Sequence, residues 1–250
     1  MLITARCAEV AKAKAGDLRV ADAVIGVGYT GVMLENGACG ACFTFRNELG
    51  PKCGVIDFAG EIAGKKATEL IDLAMSINLA EASLGVATIN AVLNEDYEIG
   101  EEAIDVAELR PTDTVGLIGN FYPIIQTLKG RVKQLYVFER NLMDEGLIPD
   151  WAENIYLPEC DVVMITGVTF INKTIDHVLS LCKNAKEVVI MGASACMAPE
   201  VLAEYGVTIL AGSKVNDGER ILKLISQGGG GLDVQKCLDK LCVRIAPRRD

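Results

Sequence analysis

The sequence predicts an α/β protein in two parts, an α+β head followed by a doubly wound parallel sheet of about five strands. Two observations predict this arrangement. From Thr114 onward, short continuous apolar strands alternate with amphipathic helical segments, which is typical of a parallel sheet covered on both faces. Before that point, helical stretches flank a β-rich segment with a strong hairpin signal, Asn36-Gly37.

The head is predicted to contain an opening helix, a β meander and a pair of helices. Residues 1–16 have helical periodicity, and β-rich stretches lie on both sides of Asn36-Gly37. The helix pair is predicted from ATELIDLAMS and NLAEASLGVATINAVLN. The second of these opens with Asn78 and Glu81 at the spacing of a capping box, and its many small residues predict close packing against other elements.

An acidic segment, NEDYEIGEEAIDVAELRPTD, lies between the two parts. It carries eight carboxylates and contains Arg110-Pro111 near its end, which is typical of a solvated connector. We therefore predict three ranges, and these names are kept below: the head (1–95), the connector (96–112) and the tail (113–250).

The tail is predicted to be Rossmann-like, because its strands and helices alternate at regular spacing. The strands are TVGLIG, QLYVFE, DVVMITG, EVVIMG and VTILAG. The helical segments are YPIIQTLKG, NKTIDHVLSLC, PEVLAEYG and DGERILKLIS. The crossover between the second and third strands has weak helical character, and a glycine run at 228–231 precedes a short last helix, DVQKCLDKLC.

Composition restricts the partners of this chain. Acidic residues outnumber basic ones by 34 to 24, which gives a net charge of −10 and argues against a nucleic-acid partner. No apolar run approaches the roughly 20 residues that a membrane span requires, and the N-terminus lacks the features of a signal peptide. We expect a cytoplasmic protein with a small-molecule partner, and the sequence leaves a homo-oligomer open.

Cysteine and histidine usage limits the chemistry. The nine cysteines are an odd number scattered through apolar runs, which indicates reduced thiols and not a disulfide framework. His177 is the single histidine and is predicted on the exposed side of an amphipathic helix. A His-rich metal site or a Ser-His-Asp triad would depend on that one residue.

Polar residues collect just after the predicted strands of the tail. Because ligands bind outside the carboxyl ends of parallel strands, these residues form a candidate pocket. They are Gly119, Asn120 and Phe121 after the first strand, Glu139 after the second, Thr166, Gly167, Thr169 and Asn172 after the third, and Gly192 and Ser194 after the fourth. Three of the turns are predicted to open helices, whose N-termini favour negative charge. Helix capping alone would also explain Thr169, Asn172 and Ser194.

The first strand–turn–helix unit resembles a nucleotide-binding unit but lacks its second glycine. Phe121 occupies that position and blocks the close approach that a pyrophosphate requires, so NAD is not expected as a cofactor. Glu139 follows Gly119 by 20 residues, as does the acid that binds ribose hydroxyls in nucleotide and S-adenosylmethionine folds. The alternative for Glu139 is an ion pair with Arg140 or Arg131.

The motif CGAC raises the question of a metal site. Cys39 and Cys42, with Cys53 further along, could supply thiolates, but residues three apart on a strand point to opposite faces. Small buried apolar side chains are the alternative interpretation. Asn90 is a polar residue on an otherwise apolar helix, and its amide requires partners in the neighbouring backbone or in a ligand.

The order of several motifs resembles one family, the "putative heavy-metal chelation" family. The motifs are ASLGVATINAVLN, VGLIGNFYPIIQTL, ERN, CDVVMITGVTFINKT and GASACMAPEVLAEYGVTILAGSKVND. The resemblance implies an enolase-N-terminal-like head, a Rossmann-like tail similar to methyltransferase domains, and a site where the two meet. It also implies condensation, hydrolysis or group transfer on a flavin-, pterin- or siderophore-like chelator.

Three hypotheses follow, and the sequence leaves open whether the chain is an enzyme. In the first, the tail loops hold a small ligand or a metal chelate, with Glu139 and Asn90 of the head as the candidate catalytic residues and Glu139 as the acid. In the second, the protein binds a metal or its chelate without catalysis through Cys39, Cys42 and Cys53. In the third, it transfers a methyl group from S-adenosylmethionine. The sequence assigns neither a cofactor nor a direct metal ligand.

Overall fold

The head combines helices with a small antiparallel sheet. The computed structural model of the protein describes residues 1–51, 53–142 and 144–249. The elements of the head are α1 (Ile3–Ala15), β1 (Val20–Ile25), β2 (Tyr29–Leu34), β3 (Cys39–Phe43), α2 (Ala67–Asp72) and α3 (Leu79–Leu93). The three strands pair in the order β1-β2-β3, and both pairings are antiparallel. The predicted hairpin is confirmed, with Gly37 at φ +87° between β2 and β3.

Helix α3 is the central element of the head. Nearly all of its residues are buried, as its small and apolar composition predicts. The Asn78 side chain caps it by accepting a hydrogen bond from the Ala80 N–H at 2.9 Å. The predicted capping box is wrong, because the Glu81 carboxylate accepts from the Ser76 hydroxyl at 2.6 Å. A Cβ at Gly40 would lie 2.1 Å from the Ala87 carbonyl oxygen, so β3 and α3 touch through their backbones.

The connector and tail follow with one large sheet and short helices. The elements are α4 (Ala103–Val106), β4 (Thr114–Ile118), α5 (Tyr122–Leu128), β5 (Gln134–Glu139), β6 (Leu147–Pro149), α6 (Glu153–Tyr156), β7 (Val162–Thr166), α7 (Val168–Ile171), α8 (Ile175–Leu181), β8 (Glu187–Met191), α9 (Pro199–Leu202), β9 (Ile209–Ala211), β10 (Ser213–Val215), α10 (Gly218–Ser226), α11 (Gly231–Gln235), β11 (Leu238–Lys240) and β12 (Val243–Arg244).

The seven-stranded sheet has the order β12-β9-β8-β7-β4-β5-β6. All pairings are parallel except the edge pair β9–β12. Numbered from β4, the six parallel strands have the order 3-2-1-4-5-6 of a dinucleotide-binding fold, and the order reverses between β4 and β7. The predicted fold class is confirmed. The five predicted strands are β4, β5, β7, β8 and β9, whereas the short edge strands β6 and β12 were not predicted.

The connector is less solvated than its charge predicts. Ala103 and Ala107 are buried in the cluster that covers one face of the sheet, and Asp113 is only 2% exposed. Arginines of the C-terminal segment bind this region: Arg248 donates to the Glu108 carbonyl and to the Asp113 carboxylate at 2.8 Å. The expectation of a solvated connector is therefore wrong for Ala103 and Ala107, whereas Asp113 is the first residue of the tail.

The C-terminal part differs from the prediction in two places. Helix α10 does not cover the parallel sheet; Ile221 and Ile225 lie in a cluster with Cys39 and Ala41 of the head sheet. The last helix is also displaced, because α11 ends at Gln235 and residues 238–240 form strand β11 against β10. Both strands are three residues long, which leaves little periodicity to detect in the sequence.

No helix within the described ranges has both the length and the apolar character needed to cross a membrane.

Candidate active site between head and tail

A cleft of about 840 Å³ lies at the carboxyl edge of the parallel sheet. The tail supplies the residues after β4, β5, β7 and β8, and the head supplies the β1–β2 turn and the segment after β3. This volume falls within the range of small-molecule sites, about 300–1,000 Å³. The cleft includes the point where the strand order reverses, which is where open α/β sheets bind their ligands.

Most of the predicted site residues line this cleft. These are Gly119, Asn120, Phe121, Glu139, Thr166, Thr169, Asn172, Gly192 and Ser194. Two predicted residues, Gly167 and Asn90, are not part of its lining. Gly167 lies behind the wall, where a Cβ would come within 2.3 Å of the Ala195 nitrogen.

Phe121 covers the turns that follow two strands. A Cβ at Gly119 would lie 3.1 Å from the Phe121 ring, and one at Gly192 would lie 3.6 Å from it. Both glycines also have positive φ, +100° and +105°, a conformation that favours glycine. The ring therefore lies against the turns after β4 and β8.

Glu139 organises the loop after β5. Its Oε2 accepts from the Asn120 N–H at 3.1 Å, and its Oε1 accepts from the Arg140 N–H at 2.7 Å. The side chain of Arg140 pairs with Glu48 at 3.1 Å and with Asp150 at 3.5 Å. The alternative of an ion pair between Glu139 and the side chain of Arg140 or Arg131 is therefore wrong, because Glu139 forms no ion pair within the described residues.

The polar residues at the end of β7 and in the segment after it form two local hydrogen-bonded pairs. The Thr169 hydroxyl donates to the Thr166 carbonyl at 2.7 Å, and Asn172 Oδ1 accepts from the Thr174 hydroxyl at 2.8 Å. The expectation that three strand-end turns open helices is wrong, because only β4 and β7 are followed directly by one. Those helices, α5 and α7, have seven and four residues.

Ser194 and Asn90 hold the head against the tail. The Ser194 hydroxyl accepts from the Phe43 N–H at 2.9 Å, which joins the turn after β8 to the end of β3. The Asn90 amide donates to the Ala41 carbonyl at 3.2 Å and to the Ala193 carbonyl at 3.0 Å. Asn90 is 1% exposed, and the partners of its amide N–H groups are backbone carbonyls, as in the first interpretation of this residue.

The head contributes residues to the cleft that were not predicted. Phe45 packs edge-on against Phe43 with ring centroids 5.4 Å apart, and both rings line the cleft. Arg46 also lines it, and no ion pair to this side chain is found within the described residues. The glycine run 228–231 also lines the cleft. The sequence pattern of Phe43, Phe45 and Arg46 does not differ from that of an ordinary strand end and surface turn, so these residues could not be predicted as part of a site.

Glu153 is a further lining residue that sequence reasoning missed. It begins α6 and is 8% exposed. Burial raises the pKa of its carboxyl to about 7, and the negative charge of Asp150 contributes in the same direction. It lies in the crossover whose weak helical pattern gave no reason to single it out.

The Glu153→Gln variant is expected to be more stable than the wild type at pH 8, by on the order of 2 kcal/mol. The pKa of this carboxyl is about 7 in the folded state against an ordinary 4.5, so the folded state binds more protons between these values. The free energy of unfolding of the wild type therefore falls as the pH rises from about 4.5 to about 7. Glutamine does not ionise, so the variant does not lose stability in this pH range. Urea unfolding at pH 5 and pH 8 measures it, with the exposed Glu35→Gln as control. An equal difference in unfolding free energy between wild type and Glu153→Gln at pH 5 and pH 8 would contradict a raised pKa of Glu153.

The cysteines of the CGAC motif point to different sides of β3. Cys39 lies in the cluster under α10, whereas Cys42 lies in the main core and donates to the Ser83 carbonyl at 3.1 Å. Burial raises the pKa of the Cys39 thiol to about 12, which opposes the thiolate form that metal ligation requires. Cys53 is exposed, and within the described ranges no group of three or more His, Cys, Asp or Glu side chains is arranged to hold a metal ion.

Comparison with known families gives two matches along the chain. Two family models match it, at residues 8–93 and 102–243, and both carry the description "putative heavy-metal chelation". The chain belongs to this family.

Three proteins are similar to the chain in sequence, in structure or in both. An uncharacterized protein of Methanocaldococcus jannaschii is 33% identical over 230 residues, which are 88% of each chain. A solved structure of a family protein of unknown function from Pyrococcus horikoshii has a TM-score of 0.84 and 30% identity, over 97% of this chain and 100% of that one. A second, from Desulfitobacterium hafniense, has a TM-score of 0.80 and 24% identity over 95% and 98%, and shows the fold alone.

Proposed function

We propose that the protein is an enzyme that binds a small chelator-type molecule between head and tail and performs condensation, hydrolysis or group transfer on it. The observation that carries the proposal is the shared cleft. Its polar groups follow four strands of the tail, and its aromatic wall, Phe43 and Phe45, belongs to the head. The family description is the reason to place the ligand among flavin-, pterin- or siderophore-like chelators.

The contents of the cleft favour a ligand with a planar part and a polar part. Phe121 and Phe43 offer aromatic ring surfaces to a planar group, and Phe43 is 37% exposed. Arg46 offers a planar cation suited to a carboxylate or phosphate group. Hydroxyl and amide groups, such as those of Thr166 and Asn172, supply the few polar contacts that orient a ligand in a mostly apolar pocket.

A thermal-shift screen tests this function. The probes are flavin mononucleotide, a pterin, 2,3-dihydroxybenzoate as a simple catechol chelator, and S-adenosylmethionine, each with and without Zn²⁺. A ligand at a hundredfold excess over its dissociation constant is expected to stabilise the wild type by about 2.7 kcal/mol. Arg46→Ala is expected to lose most of that shift, whereas the exposed Arg131→Ala, outside the cleft lining, keeps it.

The outcomes separate the proposed function from its alternatives. A shift with S-adenosylmethionine alone would favour methyl transfer. A shift with Zn²⁺ alone that disappears in Cys39→Ser/Cys42→Ser would favour direct chelation by cysteine. Binding that Arg46→Ala and Arg131→Ala weaken equally would place the ligand outside the cleft and contradict the proposal.

A further inference from the structure

Glu153 occupies a particular place in the wall of the cleft. It lies on the segment after β6, where the turn 150–152 packs against β5 and carries α6 over the carboxyl edge of the sheet. The residue is part of the cleft lining, yet only 8% of its surface is exposed. A carboxyl so placed has little solvent around it and faces whatever fills the cleft.

The other carboxylates of the cleft have partners within the protein. Glu139 accepts from three backbone N–H groups of its own loop and of the turn after β4. Glu48 and Asp150 both pair with Arg140, at 3.1 and 3.5 Å. Within the part of the chain that the structure describes, the carboxyl oxygens of Glu153 have no hydrogen-bond or ion-pair partner. A cleft-lining carboxyl without a protein partner is available to a bound molecule.

The groups around Glu153 bring its titration close to neutral pH. Burial raises the pKa of Glu153 to about 7, and the negative charge of Asp150 in the preceding turn contributes in the same direction. Helix α8 packs on α6 and is followed by Cys182, whose thiol has a pKa raised by burial to about 12 and therefore stays neutral. The remaining titratable groups on the elements packed against α6 are Asp176 and His177 of α8, Tyr136 and Glu139 of β5, Tyr156, Glu159 and Cys160.

We propose that Glu153 is the acid–base group of the cleft, exchanging a proton with an oxygen or nitrogen atom of the molecule bound there. As an acid, its O–H bond breaks, an O–H or N–H bond forms on the bound molecule, and the carboxylate keeps the electron pair. As a base, the same transfer runs in reverse, and in both directions water restores the starting form. This proposal rests on the proposed small-molecule function of the cleft.

The protonation of Glu153 near neutral pH has a direct test. Carbon NMR of protein labelled at the glutamate δ-carbon, titrated from pH 4 to 9 and assigned with Glu153→Gln, is expected to show a midpoint near 7. Asp150→Asn is expected to lower that midpoint, because it removes a negative charge. A midpoint near the ordinary 4.5 would overturn the proposal. At pH 7 a carboxyl with that ordinary value is protonated in roughly one molecule in 300, too few for an efficient acid.

Access from the cleft is tested by chemical labelling. A water-soluble carbodiimide with glycinamide converts protonated carboxyls to amides, and peptide mass spectrometry locates them. The ratio of labelling at Glu153 to labelling at the exposed Glu35 is expected to rise about tenfold or more between pH 5 and pH 7. Absence of label at Glu153 throughout this range would show that small molecules in the cleft do not reach it, and would overturn the proposal.

These tests fail independently of the proposed function. A thermal-shift screen without a cleft binder, together with a titrating and labelled Glu153, would contradict the small-molecule assignment and leave a proton-exchanging carboxyl in the cleft. A cleft binder together with a Glu153 midpoint near 4.5 would contradict the acid–base role and leave the binding function.

Discussion

Replacing Arg248 by alanine is expected to lower the free energy of unfolding by about 3–5 kcal/mol, because it leaves a buried carboxylate without its cation. The side chains of Arg248 and Asp113 are 3% and 2% exposed, and their charged atoms are 2.8 Å apart. Arg248 also donates to the Glu108 carbonyl, so one side chain fastens the end of the connector to the start of β4.

Urea unfolding of wild type and Arg248→Ala measures this loss. Lys66→Ala is the matched control, because it removes an ion pair to Asp17 whose side chains are 46% and 95% exposed, and it is expected to cost less than about 1 kcal/mol. The double variant Asp113→Asn/Arg248→Met removes both charges and is expected to recover part of the loss. Similar losses in Arg248→Ala and Lys66→Ala would contradict the buried-pair account.

Arg244→Ala is expected to have the second largest effect, a loss of about 3 kcal/mol. Its partner Glu187 is fully buried at the start of β8, and the two side chains lie 2.8 Å apart. Glu187 keeps a second partner in the variant, because the Thr208 hydroxyl donates to the same oxygen at 2.9 Å. Arg244 itself is 28% exposed, so we place the loss at the lower end of the range for buried pairs.

The same unfolding experiment, with Arg244→Lys beside Arg244→Ala, separates charge from geometry. Arg244 donates to both Glu187 and the Val106 carbonyl, at 2.8 and 2.6 Å, and a lysine cannot repeat that planar fork. Arg244→Lys is therefore expected to recover only part of the stability. Full recovery would show that charge alone accounts for the contribution.

The sequence predicted the elements whose patterns are local. Five strands of the tail are continuous apolar runs, and the hairpin at Asn36-Gly37 depends on residues next to one another. The site residues at the strand ends were predictable for a related reason. Parallel strands bring their carboxyl ends to one edge, so Gly119, Thr166 and Ser194 had to lie near one another once the strands were known.

The partners of these residues were not predictable, because they come from distant parts of the chain. Ser194 binds the backbone of Phe43, 151 positions away, and Asn90 binds the carbonyl of Ala193, 103 positions away. Helix α10 is amphipathic, and its apolar face could pack against the sheet of the head or that of the tail. Only the tertiary structure shows that it packs against β1 and β2 of the head.

The sequence by itself determined five strands of the large sheet, the hairpin at Asn36-Gly37 and the edge of the sheet that bears the cleft, because hydrophobic period and turn chemistry act over a few residues. Only the tertiary structure decided the contacts and the burial of the residues in and around the cleft. The Phe121 ring lies against Gly119 and Gly192, and the Asn90 amide joins the head to the tail. Glu153 is a buried carboxyl in the wall of the cleft. Burial and charge proximity depend on which distant elements meet, and a one-dimensional pattern does not contain that information.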